Sequence, residues 1–412
     1  MMKSVTPSPI RGTLAAPGSK SHAQRAIAAA LLAQGRSILR GLTWSDDVRA
    51  ALGIAQSLGA ETSVEGSTAS VDGGFAPRAD TLHCGEAGLA IRMFTPIAAL
   101  HDHELTLTGE GSLLSRPVDM LARPLVQLGA SFAATGGKPP IRVRGPLRGG
   151  VAQVDGSVSS QMLTGLLMAL PLAGGDTRLE VSDLKSTPYI DLTLAVMAEF
   201  GVRADHTAYR EFRIPGNQRY QPRACQIEGD WSGAACLLAA GAVGGEIALT
   251  GLRADSVQAD RAMLDALRLA GARVAWNGGT LVVARQDLRP FAFDATDCPD
   301  LFPALAALAA HCPGETRLRG ASRLAHKESD RAKVLQTQLG RLHVRIDLDG
   351  DTMTVHGGSV AGGEIDACND HRIAMAAAAV AVAAQGPVHI QGPDCVAKSY
   401  PGFFADFARL QP

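Results

Sequence analysis

The stretch SLGAE at residues 57–61 joins the end of an apolar run to the start of an alternating one. Related stretches lie around Gly129 (QLGAS), Gly201 (EFGVR) and Gly271 (LAGAR), and RLHVR has His343 at the glycine position. The central residues of successive copies are 70, 72, 70 and 72 residues apart. A glycine directly after a helix can adopt the left-handed backbone that ends it. The spacing therefore predicts a repeated unit with a helix followed by a strand.

A second feature with the same period is a set of helices rich in alanine and leucine. Their bodies are apolar on every side, as in LAALAA after Pro303, which predicts that they are buried. Each unit also has an amphipathic helix, such as the one predicted over 260–269, which suits the outside of a sheet. We infer six α/β units in two domains rather than a solenoid. The buried helices are predicted to begin near Ser21, Gly88, Ser160, Ser232, Leu301 and His371.

Length and composition limit the class of protein. A chain of 412 residues exceeds one hydrophobic core, and 46% hydrophobic with 19% charged residues indicates a folded protein. A net charge of −1 and 4% aromatic residues argue against a nucleic-acid or membrane partner. The first residues contain no apolar run typical of a signal peptide, and the longest apolar run, 373–384, is too short to span a bilayer. We therefore expect a soluble, cytoplasmic protein.

The seven cysteines of the chain are scattered and include no C-x-x-C pair. An odd number without paired spacing is typical of a reducing compartment. The same pattern predicts that the chain has no structural zinc site.

The segment PGSKSHAQR at residues 17–25 carries the first chemical signal. Its turn leads into an apolar helix, predicted over 24–33, and the free N–H groups at a helix start attract anions. Lys20 and Arg25 add positive charge there, and Ser21 adds a hydroxyl donor. The alternative is a serine-capped helix with solvated basic residues, and this segment alone does not decide between them.

Loops and helix starts later in the chain repeat this chemistry. Ser159, Ser160 and Gln161 place two hydroxyls and an amide at one helix start, which favours an oxyanion site. Asp300 and Glu328 lie beside basic residues, where one carboxylate can act as a base and another as an acid. Taken singly, each basic residue is as well explained as a solvated charge, and Asp300 as a helix cap. The recurring basic residues are Lys20, Arg25, Arg116, Lys327, Arg331, Arg372 and Lys398.

Nine short motifs lie along the chain. They are PGSKS (17–21), SRP (115–117), DGSVSSQ (155–161), STPYID (186–191), EGD (228–230), PD (299–300), HKESDR (326–331), NDHR (369–372) and AKSYP (397–401). Taken together, they resemble the motifs of the 5-enolpyruvylshikimate-3-phosphate synthase family, and their order and spacing agree along the whole chain.

The resemblance implies an α/β (α+β) fold with two similar domains. Each domain should contain three βαβαββ repeats about a pseudo-threefold axis, with the active site in the cleft between the domains. The implied N-terminal lobe covers residues 20–228, and the implied C-terminal lobe combines residues 1–19 with 229–412.

The resemblance also implies an activity. The enzyme should transfer the enolpyruvyl group of phosphoenolpyruvate to the 5-hydroxyl of shikimate 3-phosphate and release phosphate. This 3-phosphoshikimate 1-carboxyvinyltransferase reaction belongs to aromatic amino-acid biosynthesis. It should need no metal or organic cofactor, and we expect a monomer.

The resemblance assigns roles by motif. Asp300 should accept the 5-hydroxyl proton, Glu328 should donate a proton to the methylene carbon, and Lys20 should face both substrates. The residues implied for shikimate 3-phosphate are Lys20, Ser21, Arg25, Ser159, Ser160, Gln161, Ser186, Tyr189, Asp300 and Lys327. Those implied for phosphoenolpyruvate are Lys20, the backbone at Gly88, Arg116, Gln161, Arg331, Arg372 and Lys398.

Two positions depart from the family pattern. Glu86 stands where the family often has asparagine, and its carboxylate would repel phosphoenolpyruvate unless Arg92 or Lys20 pairs with it. Arg323 stands where many members have an asparagine that contacts the shikimate ring.

Two alternative functions follow from the same residues. A related enolpyruvyl transferase acts on UDP-N-acetylglucosamine, but it usually has Lys-Asn where this chain has Lys20-Ser21. It also carries a cysteine in the loop that corresponds to residues 111–117, where this chain has none. A non-catalytic anion-binding module would need the repeats but not the pair Asp300 and Glu328.

Overall fold

The computed structural model describes residues 2–325 and 327–412, so His326 of the HKESDR stretch lies outside the described residues. The α-helices are α1 (Lys20–Leu32), α2 (Asp46–Ser57), α3 (Gly88–Ala98), α4 (Ala122–Gln127), α5 (Gln161–Ala169), α6 (Thr187–Glu199), α7 (Trp231–Gly244), α8 (Met263–Leu269), α9 (Phe302–Ala310), α10 (Arg331–Gly340), α11 (His371–Ala381) and α12 (Phe403–Ala408). Short 3-10 helices cover Gly111–Ser115, Asp119–Leu121, Thr135–Gly137, Leu170–Leu172, Ala259–Ala262, Pro299–Leu301, Ala321–Leu324 and Pro393–Lys398.

The strands are short and are distributed along the whole chain. They are β1 (Met2–Val5), β2 (Ile10–Ala15), β3 (Gly35–Arg40), β4 (Glu61–Glu65), β5 (Thr68–Gly73), β6 (Thr81–His83), β7 (Leu105–Thr108), β8 (Ser131–Ala134), β9 (Ile141–Arg144), β10 (Gly150–Asp155), β11 (Thr177–Ser182), β12 (Asp205–Thr207), β13 (Glu211–Ile214), β14 (Ala224–Gln226), β15 (Gly245–Thr250), β16 (Arg273–Asn277), β17 (Thr280–Ala284), β18 (Ala292–Asp294), β19 (Gly314–Arg319), β20 (Arg345–Asp349), β21 (Thr352–Gly357), β22 (Gly363–Asp366) and β23 (Val388–Gln391).

The chain divides into two compact units. The middle unit is Lys20–Ile227, and the terminal unit combines the stretch up to Ser19 with Glu228–Pro412. The second boundary lies one residue before the expected one because Glu228 is bonded within the terminal unit. Its carbonyl accepts a hydrogen bond from the Ser19 N–H at 2.8 Å, and its carboxylate accepts one from the Ser256 hydroxyl at 3.2 Å.

The middle unit contains three sheets of four strands. Their orders are β14-β3-β5-β4, β6-β7-β9-β8 and β10-β11-β13-β12. In each sheet the first two strands are parallel and the others pair antiparallel. The sequence of elements is strand, helix, strand, helix, strand, strand, except that β14 from the end of the unit completes the first sheet.

The terminal unit repeats the arrangement. Its sheets have the orders β2-β15-β17-β16, β18-β19-β21-β20 and β1-β23-β22. Here β2, which precedes the middle unit in the chain, pairs parallel with β15, which follows that unit in the chain. The N-terminal strand β1 completes the last sheet by pairing antiparallel with β23. The six α/β units predicted from the period, and the βαβαββ form that the resemblance implies for them, are thus confirmed.

The glycines that revealed the period have the predicted backbone. Gly59, Gly129, Gly201 and Gly271 have φ angles of +114°, +90°, +85° and +89°. His343 adopts the same region with φ +62°, so it ends its helix as a glycine would. The six buried helices begin within one residue of the predicted positions.

Two helix bounds predicted from single segments were wrong. The apolar helix predicted over 24–33 begins at Lys20, within one residue of the start that the repeat indicated, so the basic segment forms its first turns instead of preceding it. The helix predicted over 260–269 consists of the 3-10 turn Ala259–Ala262 and then α8. A 3-10 turn is common where a helix begins, and a hydrophobic pattern does not distinguish the two.

The cores consist of the apolar helices. In the terminal unit α7, α9 and α11 pack against one another, and every residue of α9 is buried. In the middle unit α3 packs on α5, and α1 on α6. A Cβ on Gly165 of α5 would lie 2.7 Å from the carbonyl oxygens of Arg92 and Met93, so this glycine permits the close approach to α3. No helix among the described residues has the length and apolar character needed to cross a membrane.

Candidate active site

In the terminal unit, Asp300 contacts three positively charged side chains. It lies in the 3-10 turn Pro299–Leu301 just before α9. Its Oδ1 accepts from Lys327 Nζ at 3.2 Å and from Arg331 Nη1 at 3.0 Å, and its Oδ2 accepts from Arg372 Nη2 at 3.1 Å. The Asp300 side chain keeps 22% of its surface exposed, so a ligand can reach it. Four predicted site residues are therefore in direct contact.

Arg331 is the fully buried centre of this cluster. Its Nε donates to Asp370 Oδ2 at 2.9 Å, and its Nη2 donates to Asp370 Oδ1 at 3.2 Å and to Glu328 Oε2. Burial alone would lower the pKa of Arg331, but the charges of Asp370, Glu328 and Asp300 outweigh it and raise that pKa. Because all three nitrogens already have carboxylate partners, Arg331 holds Asp300 and Glu328 at fixed positions.

Lys327 and Lys398 complete the predicted basic set of this unit. Burial lowers the pKa of the Lys327 ammonium, while the charge of Asp300 opposes that shift. Lys398 Nζ donates to the Asn369 carbonyl at 2.8 Å. Cys368 and Asn369 have φ angles of +51° and +54°, and this left-handed turn leads directly into the Asp370 cap of α11.

Arg372, Ser232 and Asp260 form a row of hydrogen-bonded polar residues. Arg372 Nη2 donates to Ser232 Oγ at 2.7 Å, and Ser232 Oγ donates to Asp260 Oδ2 at 2.5 Å. Burial raises the pKa of Asp260 to about 6, and the charge of Asp300 adds to that effect while Arg372 opposes it. Ser232 stands on the first turn of α7, so this row connects the starts of α7 and α11.

In the middle unit, the starts of α3 and α5 converge on Gly88. A Cβ at Gly88 would lie 2.7 Å from Arg116 Nη1, 3.4 Å from Arg92 Nη1 and 3.7 Å from Gln161 Oε1. Arg92 Nη1 donates to Gln161 Oε1 at 2.7 Å, and Arg92 Nη2 donates to the Pro117 carbonyl at 2.9 Å. Two predicted residues, Arg116 and Gln161, thus lie around the predicted Gly88, and Arg92 orients Gln161 there.

Glu86 is held by the loop that carries Arg116. Its Oε2 accepts from the Ser112 N–H at 2.9 Å and from the Ser112 hydroxyl at 2.8 Å. The same hydroxyl accepts from Arg116 Nη2 at 3.2 Å. Glu86 therefore acts on Arg116 through Ser112, a contact that the sequence pattern did not predict.

Arg25 is almost completely buried between α1, α5 and α6. Its Nε donates to Thr193 Oγ1 at 2.9 Å, its Nη1 to the Ser21 carbonyl at 2.8 Å, and its Nη2 to Thr164 Oγ1 at 3.3 Å and the Tyr189 carbonyl at 3.2 Å. Burial lowers the pKa of Arg25 to about 10, with a smaller opposing effect from Tyr189. Most of its donors therefore hold three helices together, although the sequence analysis expected a substrate ligand.

The remaining predicted residues of this unit lie at helix starts. Lys20 begins α1, and its Nζ donates to Asp47 Oδ2 at 2.8 Å. Ser160 precedes α5, and Ser159 Oγ accepts from the Gln161 N–H at 3.2 Å. Ser186 and Tyr189 lie at the start of α6, and Tyr189 is half-buried.

Ser186 has an uncommon backbone for a serine. Its φ of +58° lies in the left-handed region, and it directly precedes α6. A non-glycine residue there costs free energy and is found preferentially at binding sites. Its carbonyl accepts from the Tyr189 N–H at 3.1 Å, so the turn holds both predicted residues together.

The predicted site residues are thus divided between the two units. Lys20, Ser21, Arg25, Gly88, Arg116, Ser159, Ser160, Gln161, Ser186 and Tyr189 belong to the middle unit, and Asp300, Lys327, Glu328, Arg331, Arg372 and Lys398 to the terminal unit. The sequence analysis did not assign Asp370, Ser232, Asp260 or Ser112. The Asn-Asp-His-Arg motif contained a signal for Asp370, and Ser232 was expected only as a helix start, whereas no motif pointed to Asp260 or Ser112.

The chain matches the family described as EPSP synthase (3-phosphoshikimate 1-carboxyvinyltransferase) over residues 5–407. The chain belongs to this family. A 3-phosphoshikimate 1-carboxyvinyltransferase of Aeropyrum pernix is 40% identical over 408 residues, which is 98% of this chain and 95% of that protein. One of Clostridium kluyveri is 37% identical over 411 residues, covering 99% and 96%.

A solved structure agrees with the sequence comparison. The EPSP synthase of Acinetobacter baumannii superimposes with a TM-score of 0.83 at 25% identity, covering 100% of this chain and 98% of that one. An enolpyruvyl transferase of Streptomyces tendae, NikO, is 18% identical with a TM-score of 0.80 and shares the fold. The chain is accordingly a transferase of the shikimate pathway with 3-phosphoshikimate 1-carboxyvinyltransferase activity.

Proposed function

We propose that the two groups of residues act on one pair of substrates, shikimate 3-phosphate and phosphoenolpyruvate. The reaction forms a bond between the shikimate 5-oxygen and C2 of phosphoenolpyruvate and then breaks the bond from C2 to the phosphate oxygen. The observation that carries this proposal is the contact of Asp300 with Lys327, Arg331 and Arg372 beside Glu328.

Charge supports an anionic pair of substrates. Each substrate carries one carboxylate and one phosphate, and a phosphate has about −1.5 to −2 charges at neutral pH. In the terminal unit four cations (Lys327, Arg331, Arg372 and Lys398) accompany the carboxylates Asp300, Glu328, Asp370 and Asp260. In the middle unit Lys20, Arg25, Arg92 and Arg116 accompany Asp47 and Glu86. The residues of the middle unit therefore include more cations than carboxylates, and arginine binds phosphate and carboxylate through paired donors.

The proposed acid and base lie in the terminal unit. Asp300 would take the proton from the 5-hydroxyl as the new C–O bond forms. Protonated Glu328 would give a proton to C3 of phosphoenolpyruvate and take one back from the resulting methyl group when phosphate leaves. The leaving phosphate would take up the proton that Asp300 accepted. Such proton transfers by positioned side chains typically contribute about 10²- to 10⁴-fold to a rate. Lys20 would stabilise negative charge on the reacting oxygens.

The remaining residues would bind and orient. For shikimate 3-phosphate we propose Ser21, Ser159, Ser160, Gln161, Ser186 and Lys327, with Tyr189 against the ring and Arg25 supporting them through its contacts with Ser21 and Tyr189. For phosphoenolpyruvate we propose Lys20, Gly88, Arg116, Gln161, Arg372 and Lys398. Arg331 would reach phosphoenolpyruvate only by exchanging one of its carboxylate partners.

The test is phosphate release by Asp300→Asn, which keeps the side-chain shape but removes the base. We expect kcat to fall about 10²- to 10⁴-fold, while shikimate 3-phosphate binding measured by calorimetry changes far less. Asp297→Asn is the matched control, because Asp297 is an exposed carboxylate in the same loop. Equal rates for Asp300→Asn and Asp297→Asn would remove Asp300 from the mechanism.

Two further expectations stay predictions. Sedimentation equilibrium tests whether the protein is a monomer. The described cysteines are all free, which supports a cytoplasmic location, and fractionation of the native cells tests it.

A further inference from the structure

His22, Glu199 and Cys225 form a compact group of potential metal ligands in the middle unit. A ring nitrogen of His22, a carboxylate oxygen of Glu199 and the Cys225 sulfur all lie within 4.8 Å of one another. His22 Nε2 and Cys225 Sγ are 3.7 Å apart. None of the three residues has a role in the proposed reaction, so their proximity calls for a separate explanation.

Three secondary-structure elements hold these residues in place. His22 lies on the first turn of α1, Glu199 is the last residue of α6, and Cys225 is the central residue of β14. Helices α1 and α6 pack together, and Cys225 pairs with Leu39 of the neighbouring strand. The three donor atoms are thus positioned by the fold rather than by a flexible loop, as a metal site requires.

The distance between His22 Nε2 and Cys225 Sγ suits a tetrahedral ion. With Zn–S and Zn–N bonds of about 2.3 and 2.0 Å, tetrahedral geometry places the sulfur and nitrogen about 3.5 Å apart. His22 and Cys225 are buried, whereas Glu199 is half-buried and gives access from solvent. That access allows ion entry and leaves a position for a water ligand.

A nucleophilic cysteine is the competing explanation for a Cys–His–Glu group. Reactive cysteines are partly exposed and have a lowered pKa. Cys225 is 1% exposed. A thiol this deeply buried is not accessible to attack a substrate, whereas a buried cysteine can serve as a metal ligand.

We propose that His22, Glu199 and Cys225 bind one Zn²⁺ ion, with water as the fourth ligand. Thiolate, imidazole and carboxylate together favour Zn²⁺ over Mg²⁺ or Ca²⁺, which prefer oxygen ligands. Binding exchanges the Cys225 thiol proton, which passes to solvent, for the ion. The ion takes no part in the transferase reaction, and the proposal does not depend on that reaction.

The location suggests a structural purpose for the ion, which the cysteine spacing did not predict because the three ligands lie far apart in the chain. His22 is the third residue of the middle unit, and Cys225 is the third from its end. The bound ion would therefore tie the first turn of α1 to the strand that closes the unit. Lys20 and Ser21 belong to that same turn, so the ion would also steady two proposed substrate ligands.

The test is titration of reduced, metal-free protein with Co²⁺, a spectroscopic substitute for Zn²⁺. We expect a thiolate-to-cobalt charge-transfer band that saturates at one equivalent and is displaced by Zn²⁺ but not by Mg²⁺. We also expect slower amide exchange at residues 20–25 and 224–227 when Zn²⁺ is bound. Failure to form the band, or a band that Mg²⁺ displaces, would overturn the proposal.

Variants identify the ligands. Cys225→Ser should abolish the band, and Glu199→Gln should weaken Zn²⁺ binding by more than about 100-fold, since even indirect supports of metal ligands are worth 10- to 100-fold. Cys84→Ser is the matched control, because Cys84 is a buried thiol of the same unit that donates to the Leu82 carbonyl. A Cys84→Ser protein that loses the band while Cys225→Ser keeps it would contradict the assignment. If Cys225→Ser does not fold, Glu199→Gln, which changes a half-buried helix end, provides the decisive comparison of Zn²⁺ binding with the wild type.

Discussion

At the scale of single residues, Glu86 shows how a carboxylate is accommodated beside a proposed anion site. Its Oε2 accepts from the N–H and from the hydroxyl of Ser112, and that hydroxyl accepts in turn from Arg116. The carboxylate thus helps to orient the arginine proposed to bind phosphoenolpyruvate.

Replacing Ser112 by alanine tests this relay, the series of hydrogen bonds from Glu86 through Ser112 to Arg116. We expect the KM for phosphoenolpyruvate to rise about 2- to 10-fold with little change in kcat, because one net hydrogen bond is worth about 0.5–1.5 kcal/mol. Steady-state kinetics with saturating shikimate 3-phosphate measure the change. Ser115→Ala, at an exposed serine of the same 3-10 turn, should leave the KM unchanged. Similar effects of both variants would mean that the turn, rather than the relay, matters.

Asp260 supports a prediction about stability and pH. Its folded-state pKa is raised from 3.8 to about 6, so between these values the unfolded chain releases a proton that the folded protein keeps. The stability contributed by Asp260 therefore falls as the pH rises through this window. Near neutral pH its ionised form should cost on the order of 1–3 kcal/mol.

Asp260→Asn removes this titration and keeps an acceptor for Ser232. Relative to the wild type, the variant should gain thermal stability as the pH is raised from about 4 to about 6. Differential scanning calorimetry at several pH values measures the difference. Asp265→Asn, at an exposed carboxylate of α8, is the control. A difference between wild type and Asp260→Asn that does not vary with pH would contradict the assigned pKa.

At the scale of elements, helix starts carry most of the chemistry. The alanine-rich pattern located all six buried helices, because an apolar helix can only be buried and its period is visible in the chain. The contacts at their starts were less predictable. Arg25 and Arg331 looked like substrate ligands, yet most of their donors bind neighbouring helices or carboxylates, which depends on elements distant in sequence.

A substitution at the start of α3 tests directly whether helix starts carry the chemistry of the site. Gly88→Ala would place a methyl group 2.7 Å from Arg116 Nη1, so the arginine must move. We expect weaker phosphoenolpyruvate binding, seen as a KM raised by about tenfold or more, with a folded protein. The control is Gly53→Ala in α2, where a Cβ would meet nothing within 4 Å. Gly53→Ala should retain full activity and gain up to about 1 kcal/mol of helix stability.

At the scale of the whole molecule, the period of about seventy residues predicted six units but not how they close. The first sheet of the middle unit is completed by β14, and the first sheet of the other unit by β2. No local sequence pattern predicts that such a short strand pairs with a partner far along the chain. The unit boundaries near Lys20 and Glu228 were expected only from the resemblance to a family.

The site shows a similar division between what sequence predicts and what requires coordinates. Motifs identified Asp300, Glu328 and the basic residues by type and order. They did not identify Asp370, which binds Arg331 through both oxygens, or Ser232, which links Arg372 to Asp260. Such supports depend on three-dimensional packing, and a serine or aspartate at a helix start is common for capping alone.

The most direct test of the central claim is phosphate release by the purified wild-type protein. With phosphoenolpyruvate and shikimate 3-phosphate together, we predict continuous release of phosphate in proportion to a carboxyvinyl product, and no release from either substrate alone. Phosphate formed from phosphoenolpyruvate without shikimate 3-phosphate, or turnover only with UDP-N-acetylglucosamine, would contradict the account.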